Sequence, residues 1–205
     1  MNPHYPKGAT PLSPDELAGL IPKVITTHGE LNRLEQKNIL EALTWAHKQK
    51  GNLLTASFVF ELHRRMFNQV WKWAGKQRTS DKNIGCHWAE ILNRLGNLLS
   101  NTGYRIHHEV IGKPDPAAAA RFDEIAIEFH HKLVQIHVFP NGNGRHARLL
   151  TDLILERNGR PPFSWGANTS QEEIHVESRI RDTYIHALKL ADQKSYGELL
   201  KFARS

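Results

Sequence analysis

One cysteine, Cys86, stands among 205 residues. No intrachain disulfide can form, and a reducing compartment is expected. No apolar run approaches the length that crosses a bilayer. The opening Met1-Asn2-Pro3-His4-Tyr5-Pro6-Lys7-Gly8 carries no hydrophobic signal region, so a cytoplasmic protein without membrane attachment is expected. Acidic residues are the minority charge, 21 against 27 Lys and Arg, for a net +6. That balance suits anionic ligands, but Arg145 and Arg148 already localise part of the excess, so a nucleic-acid partner is not expected. Low complexity is confined to Ala117–Ala120, and no internal repeat is visible. The 13 histidines include His107-His108 and His130-His131, yet no second ligand falls at metal-site spacing. They read as surface or packing residues.

What is present is helical patterning. Ser13-Pro14-Asp15-Glu16 is a helix start, with serine as cap and proline in the first turn. A long helix is expected from about Thr27 to Gln49, with Leu31, Leu34, Ile39, Leu43 and Ala46 on one side. Further helices are expected at about Thr55–Phe67 and Ala89–Asn101, and from the loop Lys113-Pro114-Asp115-Pro116 to Ile136. The last is the most apolar, through Phe122, Ile125, Phe129, Leu133 and Ile136, and should be central to the core. A helix then runs to Arg157, and the last two cover about Glu172–Ala191 and Tyr196–Ala203. Residues 1–12 read as an extended arm, and 68–87 as mixed, with short strands near Arg78 and Ile84. The fold class is all-α with one small hairpin. Two units are expected: residues 1–53, an arm with helices, and residues 54–205, a catalytic domain.

The chemistry concentrates in His137-Val138-Phe139-Pro140-Asn141-Gly142-Asn143-Gly144-Arg145-His146-Ala147-Arg148. Gly142 and Gly144 allow tight bending and close approach to a ligand. Successive N–H groups in such a loop make an anion-binding concavity, and the helix that follows adds the positive end of its dipole. Arg145 and Arg148, three apart, share a helix face and can grip different phosphate oxygens. His137 titrates near neutrality, which suits a general base. The residues therefore point to phosphoryl or nucleotidyl transfer.

This segment resembles the Fic/Doc (Fido) signature, H-x-F-x-[D/E]-G-N-G-R-x-x-R. His137, Phe139, Gly142, Asn143, Gly144, Arg145 and Arg148 are identical; Asn141 departs from the acid. Trp73-Ala74-Gly75-Lys76-Gln77-Arg78 is similar to the family's W-A-G-x-x-R segment, and Arg181–Leu188 with Tyr196–Leu200 resembles its C-terminal helices. The resemblance runs from about residue 54 to 202. The motif wording, with Thr26-Thr27 to Glu35-Gln36 upstream, is most similar to the bacterial subgroup called mobile mystery protein B.

The resemblance implies a Fic-like helical bundle with a β-hairpin flap and transfer of AMP from ATP to a Ser, Thr or Tyr hydroxyl of a target protein. His137 would be the base. Gly142, Asn143 and Gly144 would line the anion hole, with the Asn143 side chain adding a donor. Arg145 would hold the β-phosphate and Arg148 the γ-phosphate. Phe139 would point into the core. The flap, Thr79, Ser80, Asp81, Lys82, Asn83, Ile84 and Gly85, would pair with an extended target segment.

Two carboxylate questions follow. The family acid at position 141 holds Mg²⁺ (or Mn²⁺); Asn141 offers only a neutral oxygen and makes a weak ligand. Glu30, after Thr26-Thr27-His28-Gly29, matches the first part of an inhibitory pattern whose glutamate pairs with the second arginine, here Arg148. Thr27 to Glu30 is also an ordinary capping box, and Asp152 could pair with Arg148 locally. The alternatives to AMP transfer are γ-phosphate transfer, AMP removal, or a nucleotide- or partner-binding module without catalysis, as in a toxin–antitoxin-like pair.

Overall fold

The structure, a computed structural model, describes residues 11–25, 27–112, 117–167 and 178–205. Eight α-helices are present among them: α1 (Pro14–Leu17), α2 (His28–His47), α3 (Ala56–Phe67), α4 (Ile91–Arg105), α5 (Ala118–Ile136), α6 (Asn143–Arg157), α7 (Arg179–Asp192) and α8 (Gly197–Arg204). Their starts follow local chemistry. Ser13 and Thr27 each close a reciprocal capping box, with Glu16 and Glu30, and Thr55 and Ser178 cap α3 and α7. A 3₁₀ turn (Trp88–Glu90) leads into α4, and a π turn (Ile106–Val110) ends it. The expected arm, the loop at 113–116 and the start of the helix expected from Glu172 lie wholly or mostly outside the described residues.

α5 is central, as its apolar spacing predicts. It packs against α4, α6 and α8, and Phe122, Ile125, Phe129, Leu133 and Ile136 are all buried. Each such side chain contributes about 1.5–3 kcal/mol relative to exposure. α2 packs on α3 and α6 with most of the expected side turned inward: Ala46 is buried and Leu31, Ile39 and Leu43 pack against the core. Its buried positions are Glu35, Asn38, Ala42 and Ala46, while Leu34 and Leu40 are exposed. The polar pair is buried because it is bonded: Asn38 donates to the Arg65 carbonyl and accepts from the Gln69 N–H, closing the end of α3.

Among the described residues no strand forms. The expected hairpin at Thr79–Gly85 is an irregular loop, and extended pairing occurs elsewhere, as a single antiparallel bridge between Leu20 and Trp71. The loop stays open because a guanidinium occupies it: Arg78 donates to the carbonyls of Ser80 and Cys86, bringing its two ends together around a side chain rather than in a ladder. Trp71 and Trp73 stack at its base as core residues.

Candidate active site

The turn between α5 and α6 is made by two left-handed residues. His137 ends α5 at φ 55°, ψ 63°, and Gly142 opens α6 at φ 78°. A Cβ on Gly142 would lie 2.7 Å from the Phe67 ring, so conformation and space both require glycine there. Between them Phe139 is fully buried and stacks on His63, with centroids 3.6 Å apart. The Asn143 amide bonds the Phe139 backbone twice, accepting from its N–H at 2.9 Å and donating to its carbonyl at 2.8 Å. The side-chain donor expected for an anion hole is thus a staple that closes the loop. Gly142 supplies no side-chain cap, so the first N–H groups of α6 face the loop without one.

Buried groups that the motif does not include hold this turn. His63 accepts the Gly75 N–H at Nδ1 (2.9 Å), so Nε2 carries the proton and donates to the Asn141 carbonyl (3.0 Å). Burial keeps His63 neutral, well below the ordinary histidine range. Arg78, almost wholly buried, donates Nε to the His137 carbonyl at 2.6 Å and Nη2 to Ile136 at 3.3 Å, while its backbone N–H bonds Val138. One guanidinium therefore links the histidine turn to the loop beside it. A Cβ on Gly85 would lie 2.7 Å from the His137 Cβ, so that loop passes directly over the histidine.

His137 is itself buried, and its pKa is lowered to about 4, by desolvation first and by the Arg78 charge second, against an opposing pull of the Val134 carbonyl. At neutral pH the ring is therefore a neutral base.

The two arginines are held differently. Arg145 donates Nη1 to Glu35 Oε2 at 2.7 Å and lies over the Phe67 ring at 4.9 Å. Arg148 lies over the Tyr184 ring at 5.4 Å, and the Tyr184 hydroxyl is 2.8 Å from His130 Nε2. Burial pushes the Arg148 guanidinium below its ordinary value against the pull of Tyr184; Arg145 adds to the lowering and Asp152 opposes it. Arg181 on α7 is lowered by burial and by the nearby Arg148 and Arg145. Three cations thus share one neighbourhood.

The nearby carboxylates have partners of their own. Glu30 is a helix cap: its Oε2 accepts the Thr27 N–H and its N–H donates to Thr27 Oγ1, both at 3.2 Å. Among the described residues Arg148 makes no ion pair with it. The α2 carboxylate that reaches the motif is Glu35, five residues on, and it meets Arg145. Asp152 does not pair with Arg148 either; its oxygens accept from the Phe163 N–H (3.1 Å) and Trp165 Nε1 (2.8 Å), and burial raises it to about 7.

The residues present do not fit a protein-held Mg²⁺. The Asn141 side-chain oxygen accepts the Gly142 N–H at 2.6 Å, and among the described residues no cluster of three or more His, Cys, Asp or Glu could hold a metal. The histidine pair in α5 serves packing: His130 bonds Tyr184, and His131 is 2.9 Å from Asp192. Among the described residues no helix is long and apolar enough to cross a membrane.

Known proteins share this fold. The chain is 30% identical over 152 residues to the protein adenylyltransferase Fic of Drosophila mojavensis, covering 74% of this chain but only 26% of the relative. Its fold matches the Bartonella tribocorum effector BepC with bound AMPPNP (TM-score 0.68, 16% identity, 92% of this chain and 95% of that one). It also matches Fic-1 of C. elegans (TM-score 0.60, 20% identity, 91% of this chain and 50% of that one). The Fic/DOC family model matches residues 53–155, which hold the histidine turn, the loop before it and both arginines; the chain belongs to the Fic/DOC family.

Proposed function

We propose that the chain is a protein adenylyltransferase that moves AMP from ATP to a Ser, Thr or Tyr hydroxyl of a target protein. The observation that carries this reading is a neutral, buried His137 fixed by Arg78 beside the N-terminus of α6, with Arg145 and Arg148 on that helix. His137 takes the target hydroxyl proton, and the oxygen attacks the α-phosphate. The bond to the bridging oxygen of the β-phosphate breaks, and pyrophosphate leaves. The donors at the start of α6 face the negative charge that develops on the α-phosphate. Arg145 and Arg148 hold the β- and γ-phosphates. The loop Thr79–Gly85 passes over His137 and guides the target segment past it. Asn141 offers no charged ligand, so a divalent cation would have to be held by the nucleotide itself, where it would offset phosphate charge.

Asn141 favours a second reading, nucleotide binding without transfer, because a neutral amide replaces the acid of the family pattern. One experiment separates the two. ATP labelled at the α- or the γ-phosphate is incubated with Mg²⁺ or Mn²⁺ and a cell lysate, using wild type and His137→Ala. Label from the α-position on protein, lost in His137→Ala, is expected. Label from γ alone means phosphorylation, and ATP binding with no His137-dependent label means a binding module.

A further inference from the structure

We propose that Glu35 is a positioning residue for Arg145, holding its guanidinium in place to receive a phosphate rather than blocking it. The proposal rests on the nucleotide reading above.

Glu35 lies in the middle of α2 and is buried. Both of its oxygens have partners from other parts of the chain. Oε1 accepts Trp71 Nε1 at 2.6 Å, and Oε2 accepts Arg145 Nη1 at 2.7 Å. The three residues come from α2, the segment after α3, and α6. A carboxylate acting as a removable block must be able to leave. Glu35 cannot leave without unpairing a buried indole N–H and parting from its buried counter-charge, and both steps are costly.

The arginine side fits the same role. Among the described residues Arg145 donates only this one hydrogen bond to protein. A guanidinium carries five N–H donors in a rigid fork, so fixing one leaves the others aimed and available. Phe67 supports its face at 4.9 Å. Arg145 also lies near two like charges, Arg148 and Arg181. Without a counter-charge, repulsion drives an arginine side chain apart from such neighbours; Glu35 keeps Arg145 beside Arg148, where one polyphosphate can meet both.

The test is the calorimetric affinity for ATP, ADP and AMP, with Mg²⁺, of wild type, Glu35→Ala, Glu35→Gln, Trp71→Phe, Arg145→Gln and the Glu35→Ala/Arg145→Gln pair. Glu35→Ala is expected to weaken ATP and ADP on the order of tenfold while leaving AMP unchanged. Trp71→Phe and Glu35→Gln should act in the same direction by less, which keeps the idea testable where the alanine variant folds poorly. The double variant should lose no more than Arg145→Gln alone. Tighter ATP binding in Glu35→Ala would make the contact a block. Unchanged ATP binding, or equal weakening of AMP, would make it structural only. Either result, with Arg145→Gln still selective against ATP, overturns this proposal alone. Arg145→Gln affecting ATP and AMP alike, or wild type failing to prefer ATP over AMP, sinks the nucleotide reading together with it.

Discussion

At the scale of single residues, the protonation of His137 sets a measurable limit. Burial and Arg78 hold its pKa at about 4, so the base form is already complete at neutral pH. The kcat/KM for AMP transfer is therefore expected to show no step between pH 6 and 7. A pH–rate profile with an inflection near 6.5 would mean a histidine that is solvated when it acts. Glu30 gives a second prediction. Its capping bonds with Thr27 hold the start of α2. Thr27→Ala should cost about 1 kcal/mol and Glu30→Ala somewhat less, lowering Tm by about 2–4 °C or less. ATP affinity should not change in either variant; a rise in Glu30→Ala would restore the inhibitory role that its sequence context suggests. Asn141 gives a third. An aspartate there still accepts the Gly142 N–H, so Asn141→Asp should keep the loop and add a charged metal ligand. AMP transfer at limiting Mg²⁺ should rise, which titration of the labelled-ATP assay with Mg²⁺ would reveal.

At the scale of elements, the two turns around His137 act as one unit through Arg78 and Gly85. Gly85→Ala places a methyl group 2.7 Å from the His137 Cβ at a backbone φ of 106°, so the loop must move off the histidine. Transfer to a protein target should fall at least tenfold while ATP binding, which the α6 side supplies, changes little; equal loss of both would mean that the loop shapes the nucleotide site. The same elements show why some of the site was legible in the sequence and some was not. The turn, the arginines and Phe139 were readable because glycines, a histidine and cations at fixed spacing have few other uses. α5 was readable from its apolar period. The buried polar positions of α2 were not, because Glu35 and Asn38 look like solvent-facing residues until their partners Trp71, Arg145, Arg65 and Gln69 are known. The resemblance offered Glu30 as a partner for Arg148; tertiary pairing across 110 positions brings Glu35 to Arg145. The hairpin failed for a similar reason, since nothing local says that the Arg78 side chain fills the loop. His63 carried no signal of its own.

At the scale of the whole molecule, neutral histidines buried beside the site couple stability to pH. His130 is lowered to about 3, His137 and His146 to about 4, and His63 well below its ordinary value, in each case chiefly by desolvation. In the unfolded chain they titrate near 6.5. Between pH 6.5 and 4 the unfolded state therefore binds more protons than the folded one, and folding stability falls as pH falls through that window. Each histidine contributes a slope of about 1.4 kcal/mol per pH unit. Asp152 works the other way. Its pKa is raised to about 7 in the fold, so it gains a proton on folding between pH 7 and 4 and offsets one histidine. The remaining histidines dominate, and total stabilities of single domains are commonly only about 5–15 kcal/mol. The protein is thus expected to unfold cooperatively on acidification between about pH 5 and 4. Denaturant midpoints measured from pH 7.5 to 4.5 should drop steeply below pH 6.5. His146→Gln, which keeps an N–H for the Val59 carbonyl, should flatten that slope by about one proton, whatever it costs at pH 7. A slope unchanged in this variant would mean that His146 already carries its proton in the folded protein.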